Sequence, residues 1–222
     1  MIGKAVSFYQ SNVGRKVVMA VTGVILVGWI LLHMLGNLQA FAGPGKLDEY
    51  AGLLRKIGEI LWAMRAVLLL AVILHIEAAW TLTRRSRAGR PVGYRKRDPQ
   101  ASTIAARLMR WGGVLLLVFI VYHLLQFTFG PTHPDWPAFN HDTVYHNVTT
   151  AFHTGWIVAF YVLAMIALGL HLYHGANSML LTLGLHHPRY MRGWRRAATV
   201  LALLIALGFV AVPLAVYAGV VK

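Results

Sequence analysis

Residues Val17 to Phe41 read VVMAVTGVILVGWILLHMLGNLQAF, twenty-five positions without a single Asp, Glu, Lys or Arg. As a helix rising ~1.5 Å per residue, this run exceeds the ~30 Å hydrocarbon core of a bilayer. It has no charged face to turn toward water, so lipid is its natural solvent. Four further apolar runs follow, from about Ile60 to Thr83, Leu108 to Phe129, Phe152 to Leu183 and Ala197 to Val221. Each reaches the ~20 residues that a membrane-spanning helix needs. The expectation is an all-α membrane protein, a five-helix bundle forming one domain over residues 1–222. The first run is read as a retained span rather than a signal peptide, because no small-residue cleavage site follows a short apolar core. Pro213 is expected to kink the fifth span.

The composition agrees. The chain is 58% hydrophobic with mean hydropathy +0.59. Only 13% of residues are charged, against roughly 25% in soluble domains. A formal net charge of +14 would suggest nucleic acid if the charges covered a soluble surface. Here they sit at the ends of apolar runs. Lys4, Arg15 and Lys16 precede the first span; Arg84, Arg85, Arg87, Arg90, Arg95, Lys96, Arg97 and Arg107 separate the second from the third; Arg189, Arg192, Arg195 and Arg196 separate the fourth from the fifth. The segment between the third and fourth spans has Asp135 and Asp142 and no Lys or Arg. The positive-inside rule then places the N-terminus in the cytoplasm and the C-terminus outside, with membrane lipid rather than nucleic acid as the surrounding partner. With no cysteine, the chain cannot form disulfides, ligate iron–sulfur clusters or perform thiol catalysis. Trp62, Trp111, Trp156 and Trp194 lie near span ends and are read as interfacial anchors.

Eleven histidines are many for so apolar a chain. His133, His141, His146 and His153 fall in or beside the outer loop, and His186 and His187 follow the fourth span. His33, His75, His123, His171 and His174 fall within spans, where ionisable side chains are costly and mark a functional interior. Their depths are informative. His33 lies ~25 Å beyond Lys16 and His123 ~20 Å beyond Arg110, both in the outer half. His75 lies ~14 Å before Arg84 and His171 ~23 Å past Trp156, both in the inner half. Four antiparallel helices thus offer two histidine pairs at two depths, the pattern needed for two stacked b-type haems, each held by two imidazoles. A bis-histidine iron has no open position, which points to electron transfer rather than oxygen chemistry. Zinc more often gathers three or four ligands. His171 and His174 share one helical face, so either could ligate, the other bonding a haem propionate or a quinone, or packing. Gly23, Gly28, Gly36, Gly112, Gly113, Gly169 and Gly175 would let a planar ring approach backbone, or serve ordinary helix packing.

Two stretches then carry a resemblance: SNVGRKVVMAVTG from Ser11 to Gly23 with LHMLGNL from Leu32 to Leu38, and HLYHGANS from His171 to Ser178 with LGLHHPRY from Leu183 to Tyr190. Together with the order of five spans, they resemble the dihaem cytochrome b anchor subunit of succinate dehydrogenase and fumarate reductase. The resemblance implies a multi-pass subunit of a prokaryotic cytoplasmic membrane that anchors a flavoprotein subunit and an iron–sulfur subunit on the cytoplasmic face. Electrons would pass between the iron–sulfur subunit and quinone through two haem b groups. It also implies His33 with His123 at the outer haem, and His75 with His171 at the inner one. The family's fourth ligand stands four residues before a glycine, which fits His171 and Gly175 rather than His174. A related menaquinol-oxidising fumarate reductase has a glutamate proton path two residues before that ligand, where this chain has Gly169. Glu77 is either a proton carrier or a carboxylate reaching toward an arginine such as Arg84. Asp48, Glu49 and Glu59 are candidates for proton exchange with quinone, or solvated loop charges. Two other readings remain: a haem-b anchor of another dehydrogenase, such as hydrogenase or formate dehydrogenase, and a haem-free transporter.

Overall fold

The computed structural model describes residues 7–89, 92, 103–185 and 187–222. Lys4, Arg90, Arg95, Lys96, Arg97 and His186 lie outside them. All regular structure among the described residues is helical. Helix α1 (Asn12–Asn37) is followed by a 3-10 turn, Leu38–Ala42, then α2 (Pro44–Lys56), α3 (Gly58–Ala88), α4 (Ile104–Leu124) with a wide turn at Leu125–Phe129, α5 (Val144–Phe152), α6 (Gly155–Thr182) and α7 (Pro188–Tyr217). Five of these, α1, α3, α4, α6 and α7, are long and apolar enough to cross a membrane. They run alternately up and down. The beginnings of α1, α4 and α7 and the end of α3 therefore share one end of the bundle, the basic end. The short helices α2 and α5 lie at the far end.

Local chemistry sets the boundaries. Ser11 starts α1: its hydroxyl accepts the Gly14 amide at 2.9 Å, satisfying one of the donors that open a helix. Thr103 does the same for α4 through Ala106 at 3.1 Å. Gly43, at φ +93°, turns the chain out of the 3-10 segment, and Pro44 opens α2 at a position where a missing N–H costs nothing. The fourth apolar run is not one continuous helix from Phe152. The chain bends at His153 and Thr154, and Thr154 is extended (φ −90°, ψ 109°). Phe152 closes α5 instead, where it is buried against Tyr161 with ring centroids 4.9 Å apart. The fifth span begins earlier than hydropathy suggests, at Pro188, and passes through the buried Pro213 to Tyr217.

Helix α6 is the centre of the bundle. It packs against α7, α4 and α1, while α1 also packs against α3 and α7. One core cluster at the far end joins Phe152, Ile157, Val158 and Tyr161 to Val212 and Val216. A second joins Met34 of α1 to Leu172 of α6 and Ile205 of α7. Small residues permit this approach: a Cβ on Gly208 would overlap the Met34 side chain, and one on Gly169 would stand 3.3 Å from Ala206 Cβ. Gly169 therefore serves helix packing. Long apolar side chains such as Leu69, Leu70, Leu203 and Leu207 are exposed along the spans, as lipid-facing residues must be. Trp62, Trp111 and Trp156 are also exposed. Trp194 is half-buried, and its indole N–H donates to the Ala176 carbonyl at 3.4 Å, tying α7 to α6.

Candidate functional site: paired histidines between helices

The five span histidines do not behave alike. His33 of α1 faces His123 of α4 with ring centroids 5.8 Å apart and planes at 80°. His75 of α3 faces His171 of α6 at 6.2 Å and 49°. His174 stacks on no other imidazole among the described residues; its Nε2 lies 3.2 Å from the Ser178 hydroxyl one turn along the same helix. The structure thus brings His171, not His174, opposite His75. With metal–nitrogen bonds of about 2 Å, an iron between two imidazoles sets their centroids about 6 Å apart. Both pairs have that spacing.

The pairs stand at different heights. His75 meets α1 at Thr22, eleven residues before His33, which is ~16 Å of helical rise. His123 meets α6 at Tyr161, ten residues before His171, or ~15 Å. Two helices give the same separation independently. Each pair also bridges helices that are not packed closely together: α1 and α4 are not among the packed neighbours, nor are α3 and α6. A Cβ added at Gly28, Gly112, Gly113 or Gly175 would meet open space within 4 Å, whereas Gly36 is filled by the Tyr50 ring and Gly23 lies against His75.

The remaining ring nitrogens fit a ligand role. His75 Nδ1 is 3.1 Å from the Thr22 hydroxyl. His123 Nδ1 is 3.1 Å from the Tyr161 hydroxyl, which donates to Gln126 Oε1 at 2.7 Å. Hydrogen bonding at Nδ1 orients an imidazole that ligates through Nε2. His171 Nδ1 is buried without a hydrogen-bond partner among the described residues. His33 stacks on Trp29, at 6.0 Å and 9°, and leans on Phe209 at 5.8 Å. Among the described residues no three His, Cys, Asp or Glu side chains converge on one point. Two facing imidazoles are the donor set that a haem iron takes from protein when its other four ligands come from the macrocycle, so the residues present fit that group.

Histidines outside the spans are used otherwise. His133 is buried with both nitrogens occupied: Nε2 donates to the Asn147 carbonyl at 2.8 Å, and Nδ1 accepts the Asp135 amide at 3.1 Å. His141 bonds the Thr128 carbonyl, His146 pairs with Asp135, and His187 caps α7 through the Arg189 amide.

The carboxylate candidates separate as well. Glu77 does not reach for Arg84. It forms an ion pair with Arg15 of α1, whose side chain is only 10% exposed, and accepts hydrogen bonds from Tyr9 at 2.8 Å and Thr81 at 3.1 Å. Arg15 prevails because α1 and α3 pack side by side and bring its guanidinium onto Glu77. The Glu77 carboxylate also holds the Tyr9 phenol above its usual ionisation range. Asp48 accepts the Tyr145 amide at 2.8 Å and so caps α5 from α2. Glu49 is paired with Lys46 at the surface, and Glu59 is an exposed residue in the first turn of α3. None of these three touches a histidine pair. Thr22, Tyr161 and Gln126 are the residues that sequence reasoning passed over. Their signal was present, since polar groups at membrane depth are costly wherever they occur.

Comparison with models of known families, with curated proteins and with solved structures gave no match to this chain.

Proposed function

We propose that this membrane protein is a dihaem cytochrome b that passes electrons between a soluble dehydrogenase and quinone, as the anchor subunit of a succinate dehydrogenase or fumarate reductase. One observation carries the reading: four imidazoles from four antiparallel spans meet two by two, about 6 Å apart within each pair and about 15 Å apart between pairs. His33 and His123 would hold one haem b, and His75 and His171 the other. A bis-imidazole haem supplies one-electron transfer and leaves no position open for substrate. The chain's own residues hold the imidazoles at fixed heights, exclude water and supply apolar walls. Trp29, Phe119, Phe127 and Phe209 line the His33–His123 pair.

The family assignment itself stands on the motifs around His33 and His171. Under it, the flavoprotein and iron–sulfur subunits dock at the basic end, where Arg84, Arg87, Arg189, Arg192, Arg195 and Arg196 are exposed. Quinone is the membrane substrate, and Glu49 and Glu59 remain exposed carboxylates available for its protons.

A dithionite-reduced minus oxidised spectrum of the purified chain is expected to show a b-type α-band, and a pyridine haemochrome assay two haems per chain. A featureless visible spectrum would make the protein a transporter or channel instead. Co-purification of a hydrogenase or formate dehydrogenase in place of a flavoprotein would keep the haems and reassign the complex.

A further inference from the structure

We infer that the hydroxyls of Tyr161 and Thr22 each anchor one imidazole, His123 and His75, through Nδ1, and that they would thereby set the potentials of the two haems separately. The inference rests on the dihaem reading above.

The direction of each proton follows from the hydrogen-bond chain. Tyr161 has one hydroxyl proton and gives it to Gln126 Oε1 at 2.7 Å. Toward His123 Nδ1, 3.1 Å away, its oxygen can then only accept. With the Gln126 amide oxygen toward Tyr161, His123 carries its proton on Nδ1, which leaves the Nε2 lone pair free to ligate. Gln126 is fully buried, and its amide nitrogen has no partner among the described residues. Thr22 repeats the logic by different means. Its hydroxyl donates back along α1 to the Val18 carbonyl at 2.8 Å, and so accepts from His75 Nδ1 at 3.1 Å. That leaves His75 Nε2 free toward His171. The opposing imidazoles lack this support: His171 Nδ1 is buried and unpaired, and His33 has no hydrogen bond among the described residues. Each pair therefore contains one anchored and one unanchored ligand. The two anchors lie on different helices, ~15 Å apart in height.

An acceptor at Nδ1–H pushes electron density into the ring and makes Nε2 a stronger donor. A stronger donor favours ferric over ferrous iron, so each anchor lowers the potential of its own haem. Tyr161 and Thr22 are positioning residues, acting through His123 and His75.

Redox titration of the purified holoprotein, followed at the α-band, reads both potentials. Tyr161→Phe is expected to raise one of the two midpoint potentials and leave the other in place. Thr22→Val is expected to raise the other one, and Thr22→Ser, which restores the hydroxyl, to return it to the wild-type value. The inference is overturned if the two substitutions move the same titration step, or if Thr22→Val moves neither. Should Tyr161→Phe not assemble, the Thr22→Val and Thr22→Ser pair still decides. A wild-type protein without haem would sink the dihaem reading itself and is recognised before any variant is made.

Discussion

His171 and His174 show what a single side chain can and cannot reveal. Three positions apart on one face of α6, they are equivalent by spacing. The family resemblance favours His171 through Gly175, and the neighbouring helix separates the two in space: His171 lies opposite His75, and His174 turns to Ser178. His171→Ala is therefore expected to remove one of the two haems while His174→Ala retains both, as counted by pyridine haemochrome. The reverse result would transfer the ligand role to His174. Glu77 makes the same point for charge. Its nearest arginines in sequence, Arg84 and Arg85, are not its partners. Arg15, sixty-two positions away, is, and Arg85 instead holds the Gln10 carbonyl and the Asn12 side chain at 2.8 Å. Burying Arg15 beside a carboxylate avoids the large cost of an unpaired charge at low dielectric. This use of Glu77 ties the N-terminal segment to α3 and competes with any role as a free proton carrier.

At the scale of elements, the spans were legible because lipid solvates apolar surface over a fixed thickness, which hydropathy measures directly. The two far-end helices were not. The segment holding Asp48 and Glu49, whose alternative reading is solvated loop charge, folds as α2. It carries one deeply buried residue, Leu47, against the far-end core. The helix α5 was hidden because its apolar end, Phe152, merges with the span that follows. Both depend on each other: Thr143 offers α5 no side-chain cap, and Asp48 of α2 supplies one through the Tyr145 amide. An anionic acceptor at a helix start also complements the helix dipole. Asp48→Ala is expected to destabilise the far end by about 1 kcal/mol, seen as a lower thermal midpoint in detergent with the haem content unchanged. Slowed quinone turnover with an unaltered melt would instead return Asp48 to the list of proton-exchanging groups.

For the whole molecule, the charge pattern predicts an orientation that can be tested cleanly because the chain has no cysteine. Asn140→Cys, in the far-end loop, is expected to react with a membrane-impermeant maleimide added to intact cells. Ser86→Cys, at the basic end of α3, is expected to react only after permeabilisation. Both positions are exposed, so an inverted labelling pattern would reverse the orientation. The sequence alone determined the five crossings, the basic end and the depth of each histidine, because hydrophobic length, charge placement and helical rise are properties of one segment at a time. Tertiary structure brings the depth-matched imidazoles face to face, and it alone decided that Arg15 rather than Arg84 meets Glu77 and that Tyr161 and Thr22 stand behind His123 and His75. Those outcomes depend on how each helix is rotated about its axis against its neighbours, and in a span apolar on nearly every side no hydrophobic stripe records that rotation.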